Sequence, residues 1–137
     1  MIKRVGTYDP VPEEDLQKRI EGLKRMMVET GVDFAVIVEN VDKFYFTGTM
    51  QPGILVVPVD GDPLLFITKG TERAKLESPF PITPVKNDGQ IGEIAARMRA
   101  SRGTADVELD VVSVSFFERL KQLFHFEQAK NITAAIK

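Results

Sequence analysis

The chain has 137 residues with 18 Lys and Arg against 20 Asp and Glu, a net charge of −2, and no Cys. That length builds one hydrophobic core, and Val, Ile, Leu and Phe, numbering 15, 10, 9 and 9, supply far more apolar mass than a disordered chain carries. The charge divides into −3 for residues 1–70 and +1 for 71–137, so no basic footprint for nucleic acid is present, and no apolar run approaches the roughly 20 residues that span a bilayer.

Without Cys, disulfides, thiolate nucleophiles and Cys-ligated zinc are excluded, which fits a cytoplasmic protein in a reducing compartment. The opening MIKRVGTYDP lacks the apolar centre of a signal peptide. One His and no Cys leave few ways to assemble a nucleophile, a base and a metal site, so a complete hydrolase is not expected.

In chain order, Pro12-Glu13-Glu14-Asp15 opens a helix, with proline near the first turn and acids where the dipole favours negative charge. Leu16, Ile20, Leu23 and Met27 form its apolar stripe, with Lys18, Arg25 and Glu29 on the wet side, and Gly31 ends it. Phe34 to Val38 is a short apolar run that fits a strand buried on both faces. Ile54 to Pro58 and Leu64 to Thr68 are two further strands, and Asp60-Gly61 between them predicts an antiparallel hairpin.

A short helix is predicted over Thr71 to Leu76, then a loop at Ser78-Pro79-Phe80-Pro81. Ile82 to Val85 reads as a brief strand that Pro84 confines to an edge or a strand end. Ile91, Ile94, Ala95 and Met98 give another amphipathic helix, stopping by Gly103. Val107 and Leu109 alternate with acids, the pattern of a half-exposed strand, and Ser113 caps a last clear helix through Phe116, Phe117, Leu120, Leu123 and Phe124. The tail from Asn131 fits either a strand or the first turns of a helix, with Asn131 as a cap favouring the helix. This alternation of strands and helices predicts a single α/β domain around a mixed, mostly parallel sheet with an antiparallel hairpin and flanking helices.

Three places carry enough chemistry to be weighed as sites. If residues 106–110 are extended, Asp106, Glu108 and Asp110 share a face, as the oxygen ligands of a hard-cation nuclease would. The plainer reading is the solvated face of an edge strand, with Val107 and Leu109 inward, because no second carboxylate cluster accompanies the three. His125, between Phe124 and Phe126 at a helix end, has no HxH or HExxH companion and reads as structural. The segment NVDKFYFTGTMQPG crowds Phe44, Tyr45 and Phe46 between polar residues and glycines. It reads as a strand-to-loop transition or as a loop presenting polar and aromatic groups to a ligand, and it holds no phosphate-binding glycine pattern.

The order of pieces, a helix ending in MVETGVD, then FAVIVEN, FYFTG and ILVVPVDGDPLLFI, resembles the N-terminal domain of the creatinase/prolidase family, the pita-bread metallopeptidases that include Xaa-Pro dipeptidases and aminopeptidases. Asn40, Tyr45, Phe46, Thr47 and Gly48 stand where that family has an Asn followed by a Tyr-Leu-Thr-Gly-like motif, and VELDVVSVSFFERLKQLF looks like its Glu-containing strand and following helix. The resemblance runs from about Glu14 to Lys137. It implies a creatinase-type fold related to ribonuclease-H-like topology.

The resemblance also implies that catalysis belongs to a following domain of roughly 220 to 250 residues. In the family that domain supplies two Asp, one His and two Glu to a pair of divalent metals (Mn, Co or Zn) that activate a bridging water. None of those motifs has a match in residues 1–137, so no catalytic residue, metal ligand or cofactor is expected in this chain, and the catalytic pita-bread domain is expected to lie outside it.

By the same resemblance, the domain contributes dimer or tetramer contacts and places a loop near a neighbouring active site. The candidate substrate-access or partner-facing residues are Asn40, Tyr45, Thr47, Gly48, Met50 and Gln51. The loop Thr49–Gly53 is short and lacks the basic and aromatic residues of creatine-hydrolysing members, so a proline-containing peptide is the expected substrate of the parent enzyme. The expected partners are a catalytic domain and further copies of the chain, with no nucleic acid and no membrane. A stand-alone binding module of the same fold, without peptidase chemistry, is the alternative.

Overall fold

Residues 10–136 are described by a computed structural model; the amino-terminal stretch read above as lacking a signal peptide falls, but for Pro10, outside the described residues. The first helix, α1 (Glu13–Thr30), buries Leu16, Ile20, Leu23 and Met27 and carries its three acids in the first turn. Gly31 closes it at φ 74°, which lets the Val32 amide reach the Met27 carbonyl. All four residues of β1 (Phe34–Ile37) are buried, as the unbroken apolar run requires.

A helix follows where the aromatic cluster predicted an extended segment or a loop: α2 (Asn40–Thr47), closed by Gly48 at φ 85°. The strands β2 (Gly53–Pro58) and β3 (Leu64–Ile67) form the predicted antiparallel pair, with Leu55 opposite Leu65. Next come α3 (Thr71–Glu77), the edge strand β4 (Ile82–Pro84) and α4 (Asp88–Arg97). Ile91 and Ala95 are buried in α4, whereas Met98, predicted on its apolar stripe, is exposed. The chain continues through β5 (Thr104–Val107) and α5 (Val114–Phe124), capped by Ser113 at the Phe116 amide. It then forms β6 (Gln128–Lys130), which the sequence pattern does not reveal, and α6 (Thr133–Ile136).

The six strands lie in the order β4-β3-β2-β1-β5-β6. Only β2 opposes its neighbours; the pairs β1 with β5, β3 with β4 and β5 with β6 are parallel. Alternate strand residues feed two apolar clusters. On one face Ala35, Ile37, Leu55 and Leu65 pack with Leu23 and Met27 of α1 and Phe46 of α2. On the other, Phe34, Val36 and Phe66 pack with Ile91 of α4 and Leu120 and Phe124 of α5.

This layering corrects the expectation for residues 106–110. The strand β5 lies between β1 and β6, not at an edge, and stops at Val107. Asp106 and Glu108 are buried, while Leu109, expected inward, is exposed. A buried carboxylate is tolerated where donors meet it: Asp106 has them at both oxygens and Glu108, just past the strand end, at Oε1.

Candidate functional site

At the carboxyl end of β1 the chain turns into α2, and two glutamates hold the turn. Glu39 accepts from the amides of Val41 and Asp42 at 3.0 and 3.2 Å, which satisfies two of the free donors at the helix start. Glu108, arriving from β5, accepts from the amides of Val38 and Glu39 at 2.6 and 2.9 Å through Oε1. Asp106 does the same for the tail: Oδ1 accepts from the amides of Ile132 and Thr133, and Oδ2 from the Thr133 hydroxyl. Asn131 adds the predicted cap, accepting from the Ala134 amide, and also donates to Asp110.

The acidic triplet is therefore neither a solvated face nor a cation site. Asp106 and Glu108 fasten α6 and α2 to the sheet, and Asp110 is exposed beyond the strand end. Among the described residues no group of three or more His, Cys, Asp or Glu is arranged to hold a metal ion.

Beyond α2 the chain makes a short loop, Thr49 to Pro52, whose attachments form a cleft. Lys43, buried on α2, donates to the carbonyls of Gln51 and Gly53 at 3.2 and 2.9 Å. From α3, Glu77 accepts from the Thr49 hydroxyl at 2.7 Å, from the Gln51 amide group at 3.4 Å and from Arg73 at 2.9 Å. Burial pushes the Glu77 carboxyl up, but its bonds from Arg73, Thr49 and Gln51 outweigh this and hold it below the usual carboxylate range. Phe44, Gly48, Met50, Gln51, Arg73 and Glu77 line a cleft of about 340 Å³.

Of the residues picked from the sequence, Gly48, Met50 and Gln51 line this cleft. Asn40 begins α2 and is exposed. Thr47 is buried and returns its hydroxyl to the Lys43 carbonyl at 2.6 Å. Tyr45 turns to α1, where the Arg19 guanidinium lies 4.4 Å from its ring centroid and donates to its carbonyl at 2.7 Å. Asn40, Tyr45 and Thr47 thus belong to a helix, not to a presenting loop. His125 ends α5 in the left-handed conformation at φ 55° and is exposed.

Sequence reasoning missed Lys43, Arg73 and Glu77. Arg73 and Glu77 carry a legible signal, their i,i+4 spacing on a predicted helix. Lys43 carries none until α2 is recognised as a helix, when it falls four residues before Thr47 on the inward side.

Phe44 and Met50 bring apolar groups to the cleft, and Gln51, Arg73 and Glu77 bring an amide, a guanidinium and a carboxylate. The sequence model of the creatinase/prolidase N-terminal domain matches residues 19–137. The chain belongs to that family. An Xaa-Pro dipeptidase of Pyrococcus furiosus is 31% identical over 124 residues, which are 89% of this chain and 34% of that protein. The solved prolidase of the same organism superposes with a TM-score of 0.73 at 29% identity, over 86% of this chain and 36% of that one. A proline dipeptidase structure from Streptococcus pneumoniae gives 0.73 at 24% identity, over 85% of this chain and 93% of that one.

The chain thus spans about a third of the curated relative it matches, and nearly all of the pneumococcal chain. Among the described residues of this creatinase/prolidase domain, no helix is long and apolar enough to cross a membrane.

Proposed function

We propose that this domain is the non-catalytic N-terminal part of a metal-dependent Xaa-Pro dipeptidase or aminopeptidase, where it contributes to oligomerisation and shapes access of a proline-containing peptide to a neighbouring active site. The observation that carries the reading is the family match over residues 19–137, together with the likeness to an Xaa-Pro dipeptidase of which this chain covers 34%. The commitment of Asp106 and Glu108 to backbone donors supports assigning the two divalent metals to the following catalytic domain.

Within the domain, the cleft beside Met50 and Gln51 is the surface that faces substrate or the neighbouring subunit. Met50 is 51% exposed there, and Arg73 adds a guanidinium at the rim. The parent enzyme is a cytoplasmic homo-oligomer.

The test is hydrolysis of Xaa-Pro dipeptides with added Mn²⁺ or Co²⁺, measured for this chain alone and for a polypeptide that joins it to a catalytic domain of the family. Hydrolysis by the longer polypeptide only is the expected result, and hydrolysis by the short chain overturns the reading. Inactivity of both favours the stand-alone binding module.

A further inference from the structure

Four ionisable side chains are enclosed where α2 begins, at the carboxyl ends of β1 and β5: Asp106 at 0% exposure, Asp42 and Glu108 at 1%, and Lys43 at 2%. Interiors hold such groups only when they neutralise or pair one another. Glu108 spends Oε1 on the amides of Val38 and Glu39, while its other oxygen is buried with no donor among the described residues and lies under the influence of the neighbouring Asp42 carboxyl. Two neighbouring carboxyl groups out of water avoid facing charges only if one of them holds a proton. The residue after Asp42 is Lys43, whose ammonium is pushed below the ordinary lysine range by burial, against the opposing fields of Glu108 and Glu39, and grips the carbonyls of Gln51 and Gly53.

We infer that Asp42, Glu108 and Lys43 form a proton-controlled latch on the Thr49–Gly53 loop, closed while the carboxyl pair holds its proton and loosened when the proton is lost. With one proton the pair carries a single negative charge, matched by the one ammonium. When the proton leaves for solvent, two negative charges face each other out of water with one cation between them. Repulsion moves the first turn of α2 away from Glu108, and the extra charge draws Lys43 Nζ from the loop carbonyls towards the carboxylates.

The other groups facing the pair work in the same direction or are already engaged. The Glu39 carboxylate adds negative charge while capping α2, and Asp106, held by Thr133 of α6, feels Asp42 as a like charge. From α1, Arg19 is taken up by Tyr45; from α3, Arg73 and Glu77 hold the far side of the loop. Burial, and then the neighbouring Asp42 carboxyl, push the Glu108 carboxyl up to about 8, so the latch works just above neutrality. The inference concerns the domain itself and does not rest on the peptidase reading.

The reporter is the Met50 methyl group, which lies on the loop, lines the cleft and ionises nothing. Its NMR shift in the full chain is followed from about pH 6 to pH 10, beside the side-chain carboxyl carbon of Glu108. The expected result is one titration of Met50 with its midpoint near 8, coincident with Glu108, absent in Glu108→Gln and moved at least tenfold in proton concentration in Asp42→Asn. A Met50 signal that stays flat while Glu108 titrates overturns the latch. So does a Met50 titration that survives unchanged in either variant, and Asp42→Asn alone decides the matter if Glu108→Gln fails to fold.

Discussion

Replacing Glu108 by glutamine keeps the shape of the side chain, the oxygen that accepts from Val38 and Glu39, and a donor towards Asp42, but abolishes ionisation. In the folded chain the Glu108 carboxyl is raised from an ordinary 4.5 to about 8, so between those values the folded state holds a proton that the unfolded state has released. Stability therefore falls as pH rises through this window, is complete below it and levels off above it. Each tenfold change in proton affinity is worth about 1.4 kcal/mol, which makes the full penalty of order 5 kcal/mol at pH 9. That is a large share of a stability of about 5–15 kcal/mol.

Asp106 is also raised, by burial first and only partly relieved by Thr133 and Ile132. It contributes in the same direction to both proteins and so largely cancels in their difference. Urea unfolding of the wild type and Glu108→Gln at pH 5, 6, 7, 8 and 9 reads that difference directly. With a slope of about 1–3 kcal/mol per molar urea, the variant midpoint should draw ahead by more than 1 M between pH 5 and pH 9. Parallel pH profiles for the two proteins would refute the shared proton.

Two further outcomes follow from the packing. Thr133→Val removes the hydroxyl that bonds Asp106 and leaves a buried carboxyl oxygen short of a donor, at a cost of about 1–3 kcal/mol in chemical denaturation; an unchanged midpoint would show that α6 is not fastened through Asp106. Gly53→Ala places a methyl carbon 1.8 Å from the Phe66 carbonyl oxygen at φ 156°, so β2 and β3 must separate there and the melting temperature should fall by ten degrees or more, or folded protein should be lost.

Most elements were legible because their signals are local. The stripe Leu16, Ile20, Leu23, Met27 with Gly31 behind it defines α1, Asp60-Gly61 defines the hairpin, Pro84 keeps β4 at the edge, and Ser113 caps α5. The failures have a common physical origin. Phe44, Tyr45 and Phe46 favour strands by intrinsic preference, yet tertiary contacts overrode it: Phe46 enters the core under α1, Tyr45 meets Arg19, and Glu39 and Glu108 supply the donors' partners that let a helix start there. The strand β6 escaped because Gln128-Ala129-Lys130 has no apolar pattern; it exists by pairing with β5.

The candidate site divides in the same way. Gly48, Met50 and Gln51, named from the resemblance to the family's loop, line the cleft, whereas Lys43, Arg73 and Glu77 come from helices whose approach to that loop is set by the tertiary fold.

The sequence by itself determined the class of fold, the family and most element boundaries, because hydrophobic period, caps and turn residues act over a few neighbours. Only the tertiary structure decided that β5 lies inside the sheet, that Asp106 and Glu108 serve as internal caps, and that Asp42 meets Glu108 across 66 residues of chain. Whether a carboxyl group is solvated, capped or protonated depends on what surrounds it, and those surroundings are assembled from distant parts of the chain.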